Sequence, residues 1–440
     1  MDPLGFGLAF GVLVLLGLGT GAVTGLSPGL HVNNVAAVVL ATKAAWVALV
    51  LGPLAATDPS SLGLLLSCYL LATAVSHGVF DFVPSVFFGA PTEETALSIL
   101  PGHRMLLDGE GARAVALAAR GCVLGAAISV ALLLPLRWLL GDPVGLAEAF
   151  RPWAPVFLIG ILVALLAAEA CTRRRRLRRV GRAAWVQLLA GILGLAVLES
   201  PSGLDPNGAL FPLFSGLFGM PTLVLALGTR PGEIPLQSTG ALEPLSLPEA
   251  GHAVRGALAG AAVSWLPGLS GGAAATLAAL GGRRKLAPPA FMVILGAVST
   301  STAVLSVSVL FMIGKARSGI AAAVRELLGG SGAWPDPLLP PASVLWLAVA
   351  SVLAGALAAP LASRVARFLA SRWSRVDPRL LSAATLAGLA ALIGLATGLL
   401  GLVVAGLACA VGLVPVRAGV RRVHLMASLL VPVLAGYLVR

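Results

Sequence analysis

Charge is what this chain has least of: only 11% of its 440 residues are Asp, Glu, Lys or Arg. Soluble domains carry roughly 25%, so a globular surface facing water is excluded. Histidine (5), cysteine (4) and tyrosine (2) are scarce as well. Cys68, Cys122, Cys171 and Cys409 stand far apart without metal-ligand spacing, which excludes a disulfide framework and a zinc site and leaves them as packing residues. No His-Glu-x-x-His, Walker or dinucleotide motif occurs, and no cofactor is expected. The apolar runs also lack polar/apolar alternation, which argues against transmembrane β-strands.

What remains is apolar. Hydrophobic residues make up 58% of the chain, the mean hydropathy is +0.97, and 53 glycines suit close helix packing in lipid. Apolar stretches long enough to span a bilayer recur from end to end. The expected fold is all-α: a polytopic helical bundle, multi-pass in the cell membrane. Expected spans include Leu4–Leu26, Leu62–Phe80, Ala114–Leu134, Ala183–Leu198, Ala290–Ile313, Leu380–Leu400 and Leu402–Val416. Leu4–Leu26 lacks a basic leader and runs straight into a Pro-Gly pair, so it is expected to belong to the mature fold rather than to a signal peptide.

The net charge of +12 does not point to nucleic acid, because the basic residues cluster between apolar segments, as in Arg173–Arg179, Arg283–Lys285, Arg364–Arg379 and Arg421–Arg422. That is the pattern of cytoplasmic loops. Attraction of an anionic substrate or lipid headgroup is the second reading.

One helix-breaking phrase is written twice: Gly21-Ala-Val-Thr-Gly-Leu-Ser-Pro-Gly-Leu-His31-Val-Asn33-Asn34 and Gly260-Ala-Ala-Val-Ser-Trp-Leu-Pro-Gly-Leu-Ser270-Gly-Gly272. Proline removes a backbone donor, and hydrocarbon cannot satisfy the groups so freed unless the break is buried in protein or lines a cavity. Paired breaks in matching halves point to a transporter's binding site. Gly89–Ser98 pairs in the same order with Gly296–Leu305, Gly111–Val115 with Gly319–Ala323, and Leu210–Gly216 with Leu413–Gly419. A duplication follows: a first membrane unit at 1–228, a polar proline-rich linker at 229–252 and a second unit at 253–440. The orientation of the two units stays open.

Two polar constellations are the candidate substrate site. Ser27, Pro28, Gly29, His31, Asn33 and Asn34 surround the first break, and Pro267, Gly268, Ser270, Gly271 and Gly272 the second. Free amides at a half-helix start favour an anion there, with plain helix capping as the alternative. Thr92, Thr95 and Ser299, Thr300, Ser301, Thr302 look like two further half-helix starts lined with hydroxyls. Glu93, Glu94 and Asp81 are candidates for coupling to Na⁺ or H⁺, since a carboxylate at membrane depth is costly without a task. Glutamates in a first helical turn also merely stabilise the dipole. His77, Asp81 and His103 flank this segment and are expected near the interface.

The order Gly-Leu-Ser-Pro-Gly-Leu-His-Val-Asn-Asn, then Gly-Ala-Pro-Thr-Glu-Glu-Thr-Ala-Leu-Ser-Ile-Leu-Pro-Gly-His-Arg, then Val-Arg-Arg-Val-His-Leu-Met resembles the large permease subunit of tripartite tricarboxylate transporters, in its archaeal-type branch. The resemblance covers nearly the whole chain. It implies secondary active carboxylate uptake, with a soluble binding protein and a small membrane subunit as partners, and no enzymatic activity. The Glu-Glu pair and His31 depart from the bacterial pattern. Pro267–Gly272 is also similar to a signature of polyprenyl-phosphate translocases, which makes a lipid-phosphate flippase the alternative. A minor alternative is an intramembrane serine protease, because Gly268-Leu-Ser-Gly271 spells a rhomboid-type motif with His424 as its conceivable partner.

Overall fold

The computed structural model describes residues 3–27, 32–42, 45–46, 59–87, 99–170, 176–199, 206–228, 235–240, 244–266, 271, 274–275, 278, 286–316, 318–330, 333–372 and 378–438. Among these residues there are helices and no strands, and nine helical segments are long and apolar enough to cross a membrane. In chain order they and the shorter helices are α1 (Pro3–Leu26), α2 (Val32–Ala41), α3 (Pro59–Phe80), α4 (Phe82–Phe87), α5 (Ile99–Leu107), α6 (Gly111–Ala131), α7 (Leu133–Leu140), the short helical turns Leu146–Phe150 and Arg151–Trp153, α8 (Ala154–Ala170) and α9 (Arg176–Leu198). Then come α10 (Pro206–Phe214), a π turn (Ser215–Gly219), α11 (Met220–Gly228), α12 (Leu247–Trp265), α13 (Pro288–Ile313) and α14 (Gly319–Leu327). The chain closes with α15 (Ala342–Arg372), α16 (Pro378–Ala418), a 3₁₀ turn (Arg422–Met426) and α17 (Ala427–Leu438).

Local chemistry sets the boundaries. α12 opens on a capping box in which Ser246 accepts from Glu249 N and Glu249 from Ser246 N. It ends where Leu266 turns extended (ψ 131°) ahead of Pro267. α13 starts with prolines and ends at Gly314 (φ +68°), whose N–H returns to Leu310 O at 2.9 Å. α16 is two helices: Gly398 adopts φ 67°, ψ −164°. A Cβ added to Gly394 would lie 3.4 Å from Leu402 Cδ1, whereas a straight helix separates residues eight apart by about 12 Å. The chain therefore folds back at Gly398, giving the two spans expected at Leu380–Leu400 and Leu402–Val416.

Two bundles result. The first contains α1, α3, α6, α12, α13 and α15 with the short α2, α5 and α14; the second contains α8 to α11, α16 and α17. α3 (with α4) and α13 are the centre of the first bundle and are buried along almost their whole apolar length. The outer helices turn apolar side chains outward, as α1 does with Leu8, Val12, Leu15 and Val23, a face suited to hydrocarbon rather than water.

The halves interlock. α1 lies along α3 and α12 along α13, but the third long helix of each half crosses to the other pair: α15 packs on α3 and α1, α6 on α13 and α12. The short helices follow suit, α14 against α3 and α5 against α13. The blocks matched in sequence fall on unlike elements, however. Gly296–Leu305 lies inside α13, Gly111 opens a 21-residue helix and Gly319 a 9-residue one, and Leu413–Gly419 closes a helix whereas Leu210–Gly216 lies in α10 and the π turn.

The linker is also not free-standing. Its last residues belong to α12, which begins at Leu247 because of the capping box. Upstream, Gln237 donates to Leu106 O (2.8 Å) and accepts from Gly111 N (3.0 Å), and Ser238 N donates to Gly109 O (2.7 Å). The α7 end is tied down similarly: Arg137 Nε donates to Trp334 O at 3.0 Å and Trp138 Nε1 to Pro337 O at 2.6 Å.

Candidate functional site

Glycines decide how the site-bearing helices meet. Gly17, Gly21 and Gly25 of α1 face α3 so closely that an added Cβ would lie 2.7 Å from Tyr69 O, 2.6 Å from Thr73 O and 2.6 Å from His77 O. Both series ascend together, so α1 and α3 run parallel. Gly256 facing Ile294 O and Gly260 facing Val298 O show the same for α12 and α13. Parallel neighbours require the chain between them to recross the membrane. The segments that link them in sequence, 27–58 and 266–287, are the ones that carry Pro28 and Pro267. α1 stops at Leu26 and α12 at Trp265, each just ahead of its proline, and α2 resumes at Val32. With 10 residues α2 is about 15 Å long, half the hydrocarbon thickness.

Beside these ends lies a buried polar belt. Thr20 pairs with the Tyr69 hydroxyl at 3.1 Å. Thr24 Oγ1 donates to Thr20 O at 2.9 Å, so it accepts from His77 Nδ1 at 3.1 Å. One residue on, α3 crosses α13: a Cβ on Gly78 would lie 2.9 Å from Ser299 Oγ. Ser301 turns its hydroxyl back to Ala297 O at 2.6 Å, the usual refuge of a serine inside a helix. Ser76 Oγ, Thr300 Oγ1 and Thr302 Oγ1 do not: they are buried with no hydrogen-bond partner among the described residues. An unsatisfied buried hydroxyl costs about 1–3 kcal/mol. Ser76 faces α1, where a Cβ on Gly21 would lie 2.5 Å from Ser76 Cβ, and Thr300 and Thr302 flank Ser301 on α13, so buried hydroxyls with unused hydrogen-bonding capacity stand on both central helices.

The expected residues fall as follows. Ser299, Thr300, Ser301 and Thr302 lie at the molecular centre, yet mid-way along continuous α13 and not at a half-helix start; without water, back-bonding hydroxyls let the helix run through them. Asp81 and His77 are buried within the protein, 2% and 5% exposed, with Asp81 at the turn between α3 and α4 beside Gly25; His103 is exposed. Asn33 stands in the first turn of α2, its side chain against Gly319 at the start of α14. Ser27 continues the last turn of α1 through Ser27 N→Val23 O, 3.1 Å. Gly271 is helical and buried. Pro28, Gly29, His31, Thr92, Glu93, Glu94, Thr95, Pro267, Gly268, Ser270 and Gly272 lie outside the described residues, as does the side chain of Asn34.

A second buried cluster had no sequence signal. Glu169, 1% exposed at the end of α8, accepts from Arg421 N at 3.1 Å and sits 3.6 Å from Arg179 Nε, 3.7 Å from Arg421 Nε and 3.4 Å from His424 Nε2. Gln187 Nε2 bonds both Leu162 O and His424 Nδ1 at 3.2 Å. The carboxylate thus ties α8, α9 and the 3₁₀ turn together. It also occupies His424, the histidine a serine-protease reading would need.

A family model described as the tripartite tricarboxylate transporter TctA family matches residues 12–427. Among curated proteins, an uncharacterized protein of Methanocaldococcus jannaschii is 30% identical over 318 residues, 71% of this chain and 72% of its own length. No solved structure matches.

Proposed function

The chain belongs to the tripartite tricarboxylate transporter TctA family, a multi-pass membrane protein of a transporter system, and from that membership we propose that it is the permease for a small organic anion of the carboxylate class. The observation that carries the reading is that the hydroxyls of Ser76 on α3 and of Thr300 and Thr302 on α13 are buried without partners among the described residues, on the two central helices whose packed neighbours α1 and α12 end just ahead of Pro28 and Pro267. Carboxylate oxygens accept from hydroxyls and from free amides at helix starts, and the sequences that follow α1 and α12 open with Pro-Gly pairs. Asp81, Glu93 and Glu94 are the carboxylates proposed to take the coupling Na⁺ or H⁺. The interlocked contacts of the two halves support an internal repeat, with α1, α3, α5 and α6 answering to α12, α13, α14 and α15. A soluble binding protein and a small membrane subunit complete the system.

The test is uptake of a panel of mono-, di- and tricarboxylates by the full protein in liposomes, with Thr300→Val and Thr302→Val. Valine keeps the shape and removes the hydroxyl. Uptake is expected to fall roughly tenfold or more, at unchanged or higher thermal stability, because each lost ligand bond is worth a kcal/mol or more while an unmet polar group disappears. Full activity in both variants removes the crossing from the site. In the same assay Asp81→Asn should abolish the dependence on a Na⁺ or pH gradient if Asp81 holds the coupling ion.

A further inference from the structure

At the basic end of the second bundle a cleft of about 370 Å³ opens between α9 and the last turns of α16, lined by Arg178, Gly181, Arg182, Trp185, Val414 and Ala418. Its mouth is held by two guanidinium caps: Arg182 Nη1 donates to Ala418 O at 3.1 Å and Arg179 Nη2 to Gly419 O at 2.9 Å. The Arg178 guanidinium has no hydrogen bond or ion pair among the described residues. The end of α16 and the 3₁₀ turn add Arg417, Arg421 and Arg422. Among the described residues the only carboxylate paired with any of these arginines is Glu169, itself shared between Arg179, Arg421 and His424. The cleft therefore faces an unbalanced positive field.

Its apolar side runs on along α9. Arg178, Arg182, Trp185, Leu188 and Ile192 follow at helical spacing, and the last three are 56%, 52% and 55% exposed. One stripe thus passes from guanidinium through indole to aliphatic side chains over about 20 Å. That is the depth order of a bilayer leaflet: headgroup, interface, hydrocarbon. A soluble anion would use the arginines and leave the stripe idle. We propose that this cleft binds one anionic phospholipid, its phosphate on Arg178 and Arg182, its glycerol beside Trp185 and an acyl chain along Leu188 and Ile192.

The experiment places the full-length protein in phosphatidylcholine vesicles containing increasing fractions of phosphatidylglycerol with brominated chains, or of brominated phosphatidylcholine. Bromine quenches tryptophan on contact, and Trp185→Phe isolates the signal of Trp185 from the other indoles. The expected result is half-quenching of Trp185 at a several-fold lower fraction of the anionic lipid. Arg178→Gln, which breaks no internal bond, should cut that preference about fivefold, and Arg178→Gln/Arg182→Gln should remove it. Arg364→Gln/Arg367→Gln matches the charge change on α15 and should leave it intact. Equal quenching by both lipids, or equal loss in the α15 control, overturns the proposal. So does a Trp185 that neither lipid quenches, since a polypeptide would then cover the cleft.

Discussion

At the scale of single residues the contrast within one helix turn is informative. Ser301 is satisfied by Ala297 O, while Thr300 and Thr302 on either side are not. The Ser-Thr-Ser-Thr run was visible in the sequence because four hydroxyls in a row stand out in an apolar chain. Ser76, Thr24 and the buried state of His77 were not, because their environment is created by Gly21 and Gly78 meeting helices distant in sequence. Glu169 escaped notice for a related reason: beside the Arg173–Arg179 run it looks like part of a solvated loop, yet it is buried against His424, far along the chain. Its role predicts a result. Glu169→Gln keeps the shape but leaves Arg179, Arg421 and the wholly buried His424 around a neutral amide. Thermal denaturation in detergent should show a loss of about 1–3 kcal/mol, with uptake per folded molecule close to wild type. A Gln variant of native stability would mean that the arginines find water or lipid phosphate instead.

At the scale of elements, breaks were more legible than continuities. Proline and glycine act locally, so the ends of α1 and α12 ahead of Pro28 and Pro267 could be read directly. The passage of α13 through its hydroxyl run could not, since Ser and Thr favour caps in water but bond back to helix carbonyls in a dry interior. Gly398 is a break that carries no proline at all. Its φ 67°, ψ −164° belongs to a region open essentially to glycine alone, and nothing lies within 4 Å of an added Cβ. Gly398→Ala therefore isolates backbone strain from steric clash. It should cost about 1–3 kcal/mol in thermal unfolding and loosen the packing of Leu389 and Ile393 on Ala405 across the fold-back. An alanine variant as stable as the parent would show that the two halves of α16 do not need this turn.

At the scale of the whole molecule, the sequence suggested two units joined by a linker, and composition alone justified that division. It could not reveal that neither unit closes its own core. α3 is covered partly by α15 and α14, and α13 by α6 and α5, so each half's most buried helix is completed by the other half. The second bundle repeats the arrangement, with α9 against α17 and the π turn against α16. Such an interlock has a consequence for assembly. Cutting the chain after Gly240, in the polar linker, should yield two fragments that fail alone, because α3 and α13 would each expose a face made for a partner that is absent. Fragment 1–240 and fragment 241–440 expressed separately should aggregate or be degraded, whereas coexpression should recover a monodisperse complex that copurifies through a tag on either piece. A single fragment that is monodisperse, helical and protease-resistant by itself would contradict the interlock and restore two independent domains.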